Sequence, residues 1–206
     1  MEVIRIPAGI YAANCYVLFS KNTKDGIIVD PGGNPEDILR EIEENNVKVN
    51  YILLTHGHAD HIGGVEELKD NLDIPVLIHK NDEIMIKDPE INLSAMMAMG
   101  PISITADKVL QEGDTIEFGE IKGEVIHTPG HTKGGICVKF DEYLITGDTL
   151  FSGSIGRTDL RGGSHEEIIR SIKEKLMILD DNLITLPGHG TPSTILNEKR
   201  SNPFVQ

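Results

Sequence analysis

Four times along the chain an apolar, strand-like run ends in a short turn that carries histidine or aspartate. Tyr51-Ile52-Leu53-Leu54 leads into Thr55-His56-Gly57-His58-Ala59-Asp60-His61. The run ending at His127 leads into Thr128-Pro129-Gly130-His131-Thr132, and Leu144-Ile145-Thr146 leads into Gly147-Asp148-Thr149. Residues 183–186 lead into Pro187-Gly188-His189-Gly190. A sheet presents residues at its strand ends to one edge, and the neighbouring glycines let backbones approach closely there. The chain must therefore fold so that several strand ends share an edge.

Spacing within the first cluster says more. His56 and His58 are two residues apart, so in extended backbone their side chains point to the same side. Asp60 and His61 are adjacent; where the chain turns into a helix they face a second point in space. Left unpartnered, three histidines and an aspartate would crowd polar groups that are costly to bury. A divalent metal satisfies all of them, and the spacing suggests two metals rather than one.

Composition bounds the remaining possibilities. A chain of 206 residues, 39% hydrophobic and 25% charged, fits one soluble globular domain with a proper core. The net charge of −14 argues against nucleic acid as partner, because affinity for a phosphate backbone comes from clustered Lys and Arg. It does not exclude a small anion, since bound divalent cations reverse the local field. No apolar run reaches the roughly 20 residues of a membrane span. The first residues lack the basic start and apolar core of a signal peptide, so the expected location is the cytoplasm. Cys15 and Cys137 are read as buried reduced thiols.

Strand-like runs cover residues 3–6, 15–19, 26–29, 51–54, 76–78, 124–127, 135–140, 143–146 and 183–186. Several are apolar throughout, as strands covered on both faces would be. Asn34 before Pro35, Glu36 and Asp37 reads as a helix N-cap, with Ile38 and Ile42 as the apolar stripe. Ser164 to Glu167 fits a capping box that opens an amphipathic helix through Leu179. Shorter helices are expected at 63–68 and 81–87. The fold class is thus α/β with a mixed sheet. Residues 91–99, rich in methionine, have no clear period and read either as core or as an adaptable wall of a substrate cleft.

The ordered set His-x-His-x-Asp-His, Thr-Pro-Gly-His-Thr, Gly-Asp-Thr and Pro-Gly-His-Gly resembles the metallo-β-lactamase superfamily. Gly147–Phe151 and the Asn-Pro-Phe at residues 202–204 are similar to its short glyoxalase II-like (hydroxyacylglutathione hydrolase-like) members. The resemblance implies a four-layer αβ/βα sandwich of two mixed sheets flanked by helices, spanning 1–206 as a single domain. It implies no C-terminal glutathione-binding extension of the kind longer glyoxalase II enzymes carry. By motif, His56, His58 and His131 would bind one metal, Asp60, His61 and His189 the other, and Asp148 both. Asp60 is also assigned as catalytic. Asp30, in Asp30-Pro31-Gly32-Gly33, would be an acceptor orienting a ligand histidine, or a simple turn residue. Arg157 would bind a substrate carboxylate, or be a surface arginine.

Two close metals would lower the pKa of a bound water and give hydroxide at neutral pH. No Gly-x-Ser-x-Gly nucleophile is present. The expected activity is hydrolysis of a thioester, of the hydroxyacyl-glutathione kind or another acyl-thiol. Two divalent ions are expected, Zn²⁺ first, with Fe or Mn as alternatives. A monomer or small homo-oligomer acting on a small molecule fits best. The competing expectation is a persulfide dioxygenase of the same fold, with one iron on the residues matching His56, His131 and Asp148. β-Lactam hydrolysis and nuclease activity rank lower, and the absence of a sulfur-rich ligand set disfavours a purely structural metal.

Overall fold

The first sheet runs in simple order: β1 (Glu2–Ala8), β2 (Ala13–Phe19), β3 (Asp25–Val29), β4 (Lys48–Leu53), β5 (Val76–His79) and β6 (Lys108–Leu110). β1 to β3 are antiparallel, and β3 to β6 are parallel. The rest of the chain supplies β7 (Thr115–Phe118), β8 (Ile121–His127), β9 (Ile136–Lys139) and β10 (Tyr143–Gly147). After a small hairpin, β11 (Leu150–Phe151) and β12 (Ser154–Ile155), come β13 (Ile184–Pro187) and β14 (Ser193–Thr194). The second sheet has the order β14-β13-β10-β9-β8-β7, with only β10 and β13 parallel. This computed structural model describes residues 1–206.

Helices lie outside the sheets: α1 (Pro35–Glu44), α2 (Ala59–Ile62), α3 (Val65–Leu72), α4 (Glu83–Lys87), α5 (His165–Ser171) and α6 (Ile195–Ser201). Three separate cores separate four layers. Along β2, Cys15, Val17 and Phe19 face outward and pack with Ile38 and Ile42 of α1 and Val65 and Leu68 of α3. Tyr16 and Leu18 face inward onto Ile116, Phe118, Val125 and Val138 of the second sheet. Cys137 and Leu144 face away from that middle core onto Ile168, Ile172, Leu176 and Ile195. The period-2 alternation thus serves two apolar interfaces at once, which is why all seven residues of β2 are buried. Burying each large side chain stabilises the fold by roughly 1.5–3 kcal/mol.

Local signals held in part. Ser164 caps α5, its Oγ accepting the Glu167 N–H at 3.3 Å, and the helix continues through a π turn at Ile172–Leu176. Asn34 does not cap α1. It sits in the left-handed region (φ 52°), and its Oδ1 accepts the Gly9 N–H at 2.7 Å, pinning the β1–β2 turn instead. The helix read over 63–68 is α3, set two residues later and running to Leu72, and a separate short helix, α2, precedes it from Ala59, inside the histidine cluster. No helix is long and apolar enough to cross a membrane.

Candidate metal centre

The polar turns meet at one edge of the sandwich. Asp30 follows β3, residues 55–61 follow β4, His131 follows β8, Asp148 follows β10 and His189 follows β13. In β-sheets with parallel strands, the carboxyl ends are where ligands are held, since successive turns converge there. Backbone hydrogen bonds lock the two sheets together beneath the cluster: Ile136 N–H donates to Thr55 O at 2.9 Å, and Asn14 N–H donates to Gly188 O at 2.7 Å. Tyr16 Oη and Asn14 Nδ2 both donate to Pro187 O, at 2.7 and 2.9 Å, fixing the turn that carries His189.

The side chains form two triads. One nitrogen from each of His56, His58 and His131 lies within 4.8 Å of the others, and the same holds for single atoms of Asp60, His61 and His189. Asp148 lies between the triads. Its Oδ1 is 3.5 Å from His61 Nε2, and its Oδ2 is 3.6 Å from His131 Nε2 and 3.7 Å from His189 Nε2.

The hydrogen bonds behind the histidines decide which nitrogen is bare. His131 Nδ1–H donates to the Arg157 carbonyl at 2.7 Å, so its Nε2 lone pair faces the cluster. His61 Nδ1–H donates to Asp30 Oδ2 at 3.1 Å, which again turns Nε2 to the cluster. Asp30 also accepts from the Thr55 N–H (2.7 Å) and hydroxyl (2.5 Å). With its hydroxyl proton given to Asp30, Thr55 Oγ1 accepts from His56 Nδ1 at 3.1 Å. One buried carboxylate thus orients two histidines, the usual way a ligand ring is aimed at its ion. Asp30 lies near His56 and His61, but its oxygens are taken up by these donors.

The donor set fits divalent metal. Only two buried side-chain polar atoms in the chain lack a hydrogen-bond partner, His56 Nε2 and Asp148 Oδ1. Both point into the cluster, where a cation would satisfy them. His58 Nδ1 lies 2.9 Å from the bare His131 Nε2. Burial, then repulsion from His131, presses the His58 pKa down to about 3 and keeps that ring neutral. Burial also lowers His56 well below its ordinary value, helped by the surrounding histidines. In His61 burial pushes down as well, but Asp148 and the Asp30 hydrogen bond more than offset it and lift the ring to about 10. Burial raises Asp60, yet the His189 hydrogen bond and the charges of His61 and His189 prevail and hold the carboxyl below its usual range.

Residues 8–189 match the domain family described as Metallo-beta-lactamase superfamily. The chain belongs to that superfamily. Hydroxyacylglutathione hydrolase GloC of Haemophilus influenzae is 34% identical over 209 residues, covering 100% of this chain and 98% of that protein. The crystal structure of BLEG-1 B3 metallo-beta-lactamase superposes with a TM-score of 0.94 at 37% identity, covering 99% of each chain. A second structure, TTHA1623 in a di-iron-bound form, gives a TM-score of 0.86 at 32% identity, covering 98% of this chain and 100% of that one. Membership carries metal binding and hydrolytic enzyme chemistry with it, and the two triads are where this chain would hold the metal.

All nine residues singled out from the sequence lie at this edge, though Arg157 differs in kind from the rest. Its guanidinium pairs with Asp159 through two bonds, Nε at 2.7 Å and Nη2 at 2.8 Å, and what it offers the centre is its backbone carbonyl. The remaining histidines stay outside: His79 and His127 stack at 4.1 Å, and His165 is exposed at the start of α5.

Asp82 was not legible as part of the site. It is buried, and its carboxylate accepts from Thr132 Oγ1 (2.7 Å), Gly134 N (2.6 Å) and Gly57 N (3.3 Å). Gly57 separates His56 from His58, and Thr132 follows His131, so one acid fastens both loops of the first triad. Burial raises its carboxyl above the ordinary range, against these three hydrogen bonds.

Gly188 is required by close approach. A methyl group there would collide with Asp148 Oδ1 and the His61 ring. Gly188→Ala is expected to displace both residues and lower metal affinity by about ten- to a hundredfold, the range for a disturbed ligand support. Competition against a chromogenic chelator measures this, and unchanged affinity would show that the edge yields to the methyl group.

Proposed function

We propose that the chain is a binuclear metal-dependent hydrolase acting on thioesters of acyl-thiols, with zinc as the resident pair. The observation that carries this reading is Asp148, a carboxylate set between two complete triads with one oxygen unpartnered. Two bound metals supply Lewis acidity and a water of lowered pKa. Everything else falls to the protein. Asp30 and Thr55 hold the His61 and His56 rings so that their Nε2 atoms face the centre. The Arg157 carbonyl does the same for His131. Asp60, itself a member of the second triad, lies 3.2 Å from His189 Nε2 and is the carboxylate there that would take a proton as water is consumed. The balance is simple: the acyl C–S bond breaks, a C–O bond forms from water, and carboxylate, thiol and a proton leave.

The likeness to GloC supports the thioester, and the complete second triad favours hydrolysis over a one-iron dioxygenase. The likeness to BLEG-1 favours β-lactam hydrolysis as the second reading. The deciding experiment measures metal content and turnover on one preparation, with S-lactoylglutathione, simpler acyl-thiols and a chromogenic cephalosporin. The expected result is about two metals per chain and thioester hydrolysis lost on chelation and restored by zinc, with His61→Ala chiefly emptying one position. Cephalosporin cleavage without thioester cleavage would replace this reading with the lactamase. One iron per chain with oxygen uptake on a persulfide would replace it with the dioxygenase. The di-iron form of TTHA1623 makes iron the metal to compare with zinc.

A further inference from the structure

The cleft over the metal ligands, about 440 Å³, has a mainly apolar wall built from Tyr11, Leu93, Met97, Phe151, Ile155 and Leu160. Its one cationic side chain is Arg157, and that guanidinium is already paired with Asp159 through two hydrogen bonds. An anionic thiol such as glutathione would have to share that exposed guanidinium with the Asp159 carboxylate. A hydrocarbon arm meets no such competitor.

Leu93 is the unusual member of this wall. It holds φ 75° and ψ 0°, in the left-handed region that a bulky L-residue enters only when its surroundings impose it. The surroundings are visible. Buried Asn92 donates from Nδ2 to the Ile102 carbonyl at 2.9 Å, and its Oδ1 accepts the Ser94 N–H at 2.9 Å. Ser94 Oγ accepts the Ile102 N–H at 2.8 Å. The Asn92 carbonyl accepts the Ala59 N–H at 2.9 Å, at the start of α2, one residue before the ligand Asp60. The segment is therefore clamped to the helix that carries Asp60 and His61. Asn92 and Ser94 are turned into protein, and Leu93 between them lines the cleft. Phe151, on β11, sets its ring edge-on to His189 at 6.3 Å.

We propose that Leu93, with Met97 and Phe151, forms an apolar subsite that takes an uncharged hydrocarbon arm of the substrate, acyl or thiol, in preference to the anionic tripeptide of glutathione. The inference rests on the thioester reading and deepens it. Strain held at a position that faces the ligand cleft is where substrate fit is commonly stored. Glycine tolerates φ near +75°, so Leu93→Gly removes the side chain and the strain together and leaves a chain able to fold.

The test uses the metal-loaded protein and its Leu93→Gly variant. S-Hexanoyl-N-acetylcysteamine places six carbons on the acyl side, and S-hexyl thioacetate places them on the thiol side; S-acetyl-N-acetylcysteamine and S-lactoylglutathione are the references. At least one hexyl-bearing thioester is expected to exceed both references in kcat/KM by about tenfold or more, and which one does so identifies the arm. Leu93→Gly is expected to lower the ratio of that substrate's kcat/KM to the acetyl reference's by about tenfold. A preference for S-lactoylglutathione, or an equal loss on every substrate, would overturn the proposal. Binding of the unreactive thioether S-hexyl-N-acetylcysteamine, followed by calorimetry, separates this inference from the hydrolase reading. Affinity that depends on Leu93 without any thioester turnover would keep the subsite and remove the hydrolase. No measurable thioether binding would remove the subsite.

Discussion

Replacing Asp148 with alanine is expected to empty both metal positions and lower hydrolysis by at least about a thousandfold, at the upper end of what losing one preorganised electrostatic partner costs. The expectation follows from position. Every other side chain in the centre belongs to one triad, whereas the Asp148 carboxylate lies within 3.7 Å of nitrogens from both. Its removal leaves each triad with three donors and without the charge they share. His61→Ala, by contrast, leaves the His56–His58–His131 triad whole. Asp148→Asn separates charge from shape, since the carboxamide fills the same space with one acceptor oxygen; it should retain the fold and part of one metal. Metal content by emission spectroscopy after dialysis, with circular dichroism as the control for folding, gives the answer. An Asp148→Ala protein that kept two metals per chain would show that the carboxylate does not join the sites.

The candidate cluster was legible because its residues follow strand ends, most of them beside glycine, and because polar residues so crowded have few other ways to be satisfied. The layers were legible for a related reason. Strands covered on both faces cannot alternate in polarity, and β2, β3 and β5 read as continuous apolar runs. The margins were not. β6 is three residues of which only Leu110 is buried, and β14 is a two-residue pairing against β13, too short to carry a period. Asn34 carried every mark of a helix cap, but a partner twenty-five residues away, Gly9, outbid the local donors. In the methionine-rich segment both readings had substance: Asn92 and Ser94 face protein, Leu93 and Met97 face the cleft, and Met96 faces solvent. No periodicity distinguishes these, because the segment is shaped by side-chain bonds to Ile102 and by a backbone bond from Ala59.

Asp82 shows what such contacts are worth. Asp82→Ala is expected to destabilise the protein by roughly 3–9 kcal/mol, because it leaves the Thr132 hydroxyl and the Gly134 and Gly57 N–H groups without an acceptor at about 1–3 kcal/mol each. Against the roughly 5–15 kcal/mol of a typical domain, that is a large share. The loss is not that of a helix cap, since the Asp82 side chain makes no capping bond to α4. Asn at this position keeps one acceptor oxygen but turns an amide N–H toward a backbone N–H, so Asp82→Asn should fall between wild type and alanine. The pattern of metal loss distinguishes a positioning role from simple destabilisation. The loops that Asp82 ties carry His56, His58 and His131, and none of its three bonds reaches Asp60, His61 or His189. Affinity at the first triad is therefore expected to fall by about ten- to a hundredfold while the second changes far less. Urea unfolding of the metal-free protein gives the stability, and stepwise metal titration of the folded variant gives the two affinities. Equal weakening of both positions would make Asp82 a general support of the fold rather than the fastening of one triad.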